Sequence, residues 1–458
     1  MENTRTRQLS EWVTSATYHD FPEETVSYAK GLLLKTVAGM LVGSRENIGK
    51  IMTTYLQGVG GAQEAGVVAG GFRTTVENAA LANGTFAHAS ELEDDLLEDL
   101  MGDYWMFPAI FPLAEKLKSS GREVIEAAVV SWEVTSRLCR AAPGRLMVKN
   151  IGMCPATWFG IVGTAAAGAK LLKMNAEETE NALCIAASHS CGLGEAGYDA
   201  HFIESGHSCR MGLLSAFLAK AGATGQPGIL EEPRSFYAPV YSEGQVNLDI
   251  ITDGLGKPPY SIHEASIKKY SACILTHSSI DALMALIKEN DIKYQDVELV
   301  QTEVSKFARM AVNRPSPVSL VDARFSLQYL LGEVLLRGKV DIDTFVEEKL
   351  TDPEHNEAQS KVRVSVLPEV SREYPGAQVS VLFKNGNKLI KHLEALIGSP
   401  KYPLSIEQIG DVSRPYLDAM LDNAARERVE ELVLNLEKQP DILELMDILT
   451  FSRVGQRI

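Results

Sequence analysis

The sequence predicts a mainly α protein, with a large all-helical domain and a smaller α+β domain. Three observations predict it. Residues 1 to about 222 read as helix after helix. Strand patterns first appear at Val297 and end near Ile390. Helical pattern then resumes after Pro403, and its simplest place is back on the first bundle. The expected boundaries are 1–264 with 401–458 for the helical domain and 265–400 for the α+β domain.

In the first part, small residues fill several helices. Gly160 to Leu172 and Met211 to Ala219 are the clearest cases. Glycine is a poor helix former in water, so these segments are expected to pack closely inside a bundle. From Gly222 to about Ser261, ten glycines and prolines, Gly225 to Pro259, punctuate a loop-rich crossover with room for a short helix. Ile280 to Ile287 is helical again. Val297 to Val304 alternates loosely and Lys361 to Val366 strictly. Ala377 to Phe383, then Asn385-Gly386, then Lys388 to Ile390 is a hairpin signal. Leu404 to Glu407 opens a further helix.

Composition narrows the function classes. The chain has 458 residues, of which 45% are apolar and 23% charged, enough for a sizeable core. Lys+Arg is 44 and Asp+Glu is 60, a net charge of -16. Nucleic acid is therefore not expected as a partner, because phosphate binding needs clustered base. A small anionic substrate needs only a few local cations and is not excluded. No run of 18 apolar residues suggests a membrane span. Met1 to Arg5 leads into an amphipathic pattern without the apolar core of a secretion signal. The six cysteines (139, 154, 184, 191, 209, 273) form no CxxC pair and read as reduced thiols, with a cytoplasmic location expected. No metal is expected: the cysteine spacing does not suit zinc, and no second ligand cluster stands out beside His88 and its acids.

Three segments carry chemistry. His88 to Asp103 holds seven acids and no base. As a helix it would place His88, Glu91, Asp95 and Glu98 on one face. Stacked like charges destabilise a helix, so a cation, a partner lysine or raised carboxyl pKa values would have to offset them. The alternative is a plain solvated acidic face. The second segment, His201 to Arg210, sets two histidines, a Ser-Gly pair and an arginine before a buried-looking helix. It fits an anion site or an ordinary helix cap. The third, Ile267 to His277, places Lys268 and Lys269 beside Tyr270 at the domain junction. It fits a proton-abstracting lysine or a solvent-facing pair.

In this order, the three segments resemble the MmgE/PrpD family, which includes 2-methylcitrate dehydratase, cis-aconitate decarboxylase and iminodisuccinate epimerase. Its first motif is similar to N-G-x-x-x-H-A-x-D-F-D-D-T. Asn83-Gly84 and His88-Ala89 match it; Glu91-Leu92-Glu93-Asp94 stands at D-F-D-D and Asp95 at the Thr. Pro108-Ala109 and Leu113-Ala114-Glu115 match its end. Gly152-Met153-Cys154-Pro155 resembles G-W-H-P. Ser205-Gly206 and Gly212 to Ala219 fit a third motif, K-x-x-H-x-G followed by a small-residue helix. Lys268, Tyr270, Thr276 and His277 fit K-x-Y-P-x-C-x-x-T-H, and Arg324 to Tyr329 fits [KR]-F-S-x-x-Y.

The departures shape the expected function. Met101 aligns with the family's His of H-P-G. Cys154 replaces a second His, His201 stands where a Lys is expected, and Glu204 where the next His is. Lys268 survives. The resemblance implies a helical domain with an inserted α+β lid, a homodimer and no cofactor. It implies a lyase, a dehydratase or decarboxylase, that abstracts a proton beside a carboxylate of a small hydroxy- or unsaturated carboxylic acid. Lys268 is the expected base, and His201, His207 or Tyr104 the acid. Glu91, Asp94, Asp95, Met101, Asp103, Cys154, Ser205, Lys269 and Tyr270 are the expected substrate contacts. The acidic pocket favours a substrate with fewer carboxylates, or one carrying an amine or hydroxyls. An epimerase or isomerase of the same chemistry, and a ligand-binding member without catalysis, are the alternatives.

Overall fold

Helix follows helix through the first 220 residues of the computed structural model, which describes residues 4–96, 101–142, 152–194, 196–232, 235–241, 246–368 and 375–451. They are α1 (Arg5–Ser15), α2 (Glu23–Gly43), α3 (Asn47–Val59), α4 (Val76–Ala89), α5 (Phe107–Leu117), α6 (Gly121–Ala141), α7 (Pro155–Leu171), α8 (Ala176–Ser188) and α9 (Tyr198–Lys220). Their starts carry side-chain caps where the sequence supplies them. The Thr75 hydroxyl accepts from the Asn78 amide. Ser120 and Glu123 close a reciprocal box at α6, as do Asn175 and Glu178 at α8.

The small residues predicted to pack closely do so: a Cβ added to Gly212 of α9 would fall 2.6 Å from the Ile161 carbonyl oxygen of α7. Helices α2, α4 and α7 are buried on nearly every side. A Cβ added to Gly43 of α2 would fall 1.7 Å from the Phe86 carbonyl oxygen of α4. One added to Gly206 of α9 would fall 2.2 Å from the Leu81 carbonyl oxygen. Backbones that approach this closely leave no space for a side chain.

Two short ladders appear earlier in the chain than any strand the sequence predicts. β1 (Ala65–Gly66) pairs with β2 (Arg73–Thr74), and β3 (Asp95–Leu96) with β4 (Met101–Gly102), both antiparallel. Each is only two residues long, too short to leave an alternation signal.

Residues Ser266–Ser405 form a compact unit of their own, separate from the unit made by Met1–Ala265 and Ile406–Ile458. A four-stranded sheet runs β6 (Val362–Val366), β5 (Val297–Val304), β7 (Ala377–Phe383) and β8 (Lys388–Leu393) in that order. β5 pairs parallel with β6 and antiparallel with β7. The Asn385-Gly386 turn joins β7 to β8 as the hairpin signal predicts, with Gly386 at φ +86°. Helices α10 (His277–Asn290) and α11 (Leu327–Arg337) bury Leu283, Leu286, Leu330 and Val334 in one core with Val300, Val304, Val379 and Val381. The entry and exit of this unit run side by side, with the Ile267 amide donating to the Gly398 carbonyl at 2.9 Å.

The last helices, α12 (Ile406–Met420), α13 (Asn423–Leu434) and α14 (Leu443–Phe451), belong to the first unit. Ile406 and Ile409 pack on Gly31 of α2. The Leu449 carbonyl accepts from the Ala69 amide at 2.7 Å. Among the described residues, no helix is long and apolar enough to cross a membrane.

Candidate active site

The acidic segment does not continue α4. The helix ends at Ala89, where the Ser90 hydroxyl donates to the Ala87 carbonyl at 2.6 Å. Glu91 then takes φ +53°, the left-handed conformation that commonly ends a helix and that usually falls to glycine or asparagine. The chain reverses into the β3–β4 ladder. The expected single face of His88, Glu91, Asp95 and Glu98 is therefore not formed, and Glu98 lies outside the described residues. Glu91 and His88 do come together, but across the end of the helix.

The His88 ring is 1% exposed and lies between two aromatic neighbours, its centroid 4.4 Å from Trp105 and 4.4 Å from His201. Phe202 meets it edge-on at 5.5 Å. His201 belongs to the first turn of α9, which begins at Tyr198, so the second motif lies within the helix and is neither a turn nor a cap. Its Nε2 stands 3.8 Å from Oε1 of Glu91, which is 2% exposed. His88, Glu91 and His201 each bring one ligand-type atom within 4.8 Å of the others.

Around this cluster, the Trp105 indole donates to Thr157 Oγ1 at 3.1 Å. The same hydroxyl lies 3.5 Å from Cys154 Sγ and 3.4 Å from Glu204 Oε2. Burial pushes the Cys154 thiol up to about 11, so it stands there as a neutral thiol and not as a thiolate. Glu204 also accepts from the Leu193 amide at 2.9 Å. Ser205 is buried and donates to the Tyr104 carbonyl at 2.5 Å, a bond that ties α9 to the turn before α5.

A second buried group lies on the Asp94 side. The Asp103 carboxylate accepts from the Asp94 amide at 3.1 Å and from Thr36 Oγ1 at 3.1 Å. Lys35 Nζ stands 3.9 Å from Asp94 Oδ1, and all three side chains are buried. Loss of water, then the neighbouring Asp94 charge, holds the Asp103 carboxyl well above the usual carboxylate range. Sequence reasoning missed Lys35. The signal was there: a single lysine inside Leu32-Leu33-Leu34-Lys35-Thr36-Val37, an otherwise apolar helical run.

Two expected acids are placed elsewhere. Tyr104 is fully buried against Gly39 and its hydroxyl donates to the Lys35 carbonyl at 3.2 Å. Burial, then Asp103 and Asp94, drives its pKa well above the ordinary value. It packs in the core with its proton held toward the Lys35 carbonyl. His207 lies six residues after His201, on another face of α9. Its neighbours are Arg210 and His189, and burial first and then these charges lower its pKa. Asp95 is half-buried in β3, and the Met101 side chain lies outside the described residues.

In the Ser266–Ser405 unit, the lysine pair does not face solvent. Lys268 is 2% exposed. Lys269 Nζ pairs with Asp281 Oδ2, and the Tyr270 hydroxyl donates to Asp281 Oδ1 at 2.6 Å. The Tyr270 ring packs edge-on against His277 at 5.1 Å, and His277 Nε2 lies 3.1 Å from the Ala272 carbonyl oxygen. Arg324 Nη1 donates to Ser271 Oγ at 2.6 Å. The loop that carries Lys268 is thus pinned from Lys269 to Cys273, and Asp281 is the partner that no motif announced.

The helical unit gathers His88, Glu91 and His201 at helix ends, and the α+β unit carries a buried lysine, Lys268, at its start. Comparison with known proteins shows the family. The MmgE/PrpD N-terminal domain matches residues 7–249 and the MmgE/PrpD C-terminal domain matches residues 270–438. The chain belongs to the MmgE/PrpD family. Its relatives include the cis-aconitate decarboxylase of Aspergillus terreus, 26% identical over 97% of this chain and 95% of the relative. The cis-aconitate decarboxylase of Homo sapiens is 25% identical over 93% and 90%, and that of Mus musculus 27% identical over 83% and 78%. Family and relatives together place the chain among enzymes of the lyase class.

Proposed function

We propose that the chain is a lyase that moves a proton at a carbon beside a carboxylate of a small hydroxy- or unsaturated carboxylic acid and releases water or CO₂. The observation that carries the reading is Lys268, a lysine 2% exposed in a loop fixed on both sides. Lysine amines withdrawn from water are the ones that serve as bases. In a dehydration, Lys268 as the neutral amine takes the proton, an acid protonates the departing hydroxyl, and water leaves. In a decarboxylation, the bond to the carboxylate supplies the electron pair, CO₂ leaves, and the acid delivers a proton to carbon. His201, an acid candidate from the sequence, is partly exposed and has Glu91 at its Nε2.

The named relatives are cis-aconitate decarboxylases, so cis-aconitate is the first substrate to try. The acids Glu91, Asp94 and Asp103 support a substrate with fewer carboxylates, or one with hydroxyls or an amine, among the next. The test compares chelator-treated wild type with Lys268→Ala and His201→Gln on whichever acid is turned over. Where water is lost, Lys268→Ala is expected to lower kcat by about 10²–10⁴-fold, the range of a lost general base. A wild type that binds the acid without converting it, with Lys268→Ala weakening only that binding, would overturn the reading in favour of a non-catalytic member.

A further inference from the structure

The structure points to a divalent-cation site made by His88, Glu91 and His201, and we propose that this cluster binds one first-row cation of the Zn²⁺ type. Two imidazoles and one carboxylate are the donor set that such cations prefer, and three protein ligands leave at least one coordination position open.

The geometry comes from three separate features of the fold. His88 closes α4, the left-handed Glu91 turns its carboxylate back beside the helix end, and His201 arrives from the first turn of α9. The three donor atoms lie within 4.8 Å of one another, and the His201–Glu91 pair stands at 3.8 Å. Ligand atoms around a tetrahedral zinc are about 3.3 Å apart, given bonds of about 2.0–2.1 Å. The widest separation the cluster allows, 4.8 Å, leaves about 1.5 Å for the ligands to close.

The surroundings fit a cation. Trp105 and Phe202 wall the imidazoles with apolar surface. Glu93 and Asp94 are buried in the same segment, with Lys35 as the cation facing Asp94. Glu91 is held in the left-handed region without being glycine, and such backbone collects at functional positions. The family pattern carries a lysine where His201 stands, so this donor set is a property of this chain and not of the motif.

Ligation uses the His201 lone pair that proton donation needs occupied by a proton, so the two uses are exclusive. For that reason turnover is measured on chelator-treated protein and cation binding without substrate, and failure of either reading leaves the other intact. The binding experiment titrates Zn²⁺ into chelator-treated, thiol-reduced full-length chain by calorimetry. It follows Co²⁺ by its visible absorption. One site per chain is expected for wild type and for His207→Gln, a control on the same helix outside the cluster. Glu91→Gln and His201→Ala are expected to weaken binding at least tenfold. His201→Lys repeats the test with the family's own residue, should the alanine variant fold poorly. Binding that is absent in wild type, or unchanged in folded Glu91→Gln and His201→Lys, would overturn the proposal.

Discussion

Asp103 shows what burial does to one residue here. Its carboxyl is held above the usual range by loss of water and by Asp94. The folded chain therefore keeps a proton that the unfolded chain releases near pH 4. Its contribution to stability is present below that pH and is lost as pH rises through the raised folded value. Asp103→Asn retains an acceptor for the Asp94 amide and carries no charge. It is expected to leave the fold intact and to flatten the stability profile above pH 4, as urea unfolding at pH 5 and pH 8 would read. A larger loss at pH 8 than at pH 5 would show instead that Asp103 works as an anion beside Lys35. His207 acts in the opposite sense. Its lowered pKa means the folded chain resists protonation, so stability falls as pH drops below about 6.5. His207→Gln is expected to lessen that fall, and an unchanged acid limb would refute the assignment.

Among elements, close helix crossings dominate. The α2–α4 and α4–α9 contacts leave no space at Gly43 or Gly206. Alanine at either position must separate two backbones, an overpacking cost on the order of 1–3 kcal/mol or more. Both variants are expected to melt several degrees below wild type, whereas Gly58→Ala, which meets nothing within 4 Å, should not. Equal melting of all three would contradict the packing account. The α7–α9 crossing was legible in the sequence, because the glycines of Gly160 to Leu172 and Met211 to Ala219 have few other reasons to stand in a helix, whereas Gly43 and Gly206 were not singled out. The hairpin at Asn385-Gly386 was legible for a local reason too. The acidic segment was not, because a left-handed Glu91 and a two-residue ladder leave no period to read. The sheet order β6-β5-β7-β8 rests on pairing between distant segments and has no local signature. Lys268 was legible by motif, whereas its partners' anchor, Asp281, became visible only in three dimensions.

For the whole molecule, the candidate residues fall in two compact units, with His88, Glu91 and His201 in one and Lys268 in the other. The Ser266–Ser405 unit has its own core and its ends meet at Ile267 and Gly398. Expressed alone, residues 266–405 are expected to unfold in one cooperative urea transition; a gradual loss of ellipticity would contradict its independence. A lyase of this kind couples proton transfer to release of a small molecule. Proton NMR in D₂O, with chelator-treated wild type and a panel of small di- and tricarboxylates, hydroxy acids and amino acids, reads both events at once. Conversion of at least one acid is expected, with loss of CO₂ or water and deuterium at the carbon the enzyme reprotonates. Deuterium uptake with no loss from any acid would make the chain an isomerase, and silence across the panel would contradict the lyase reading.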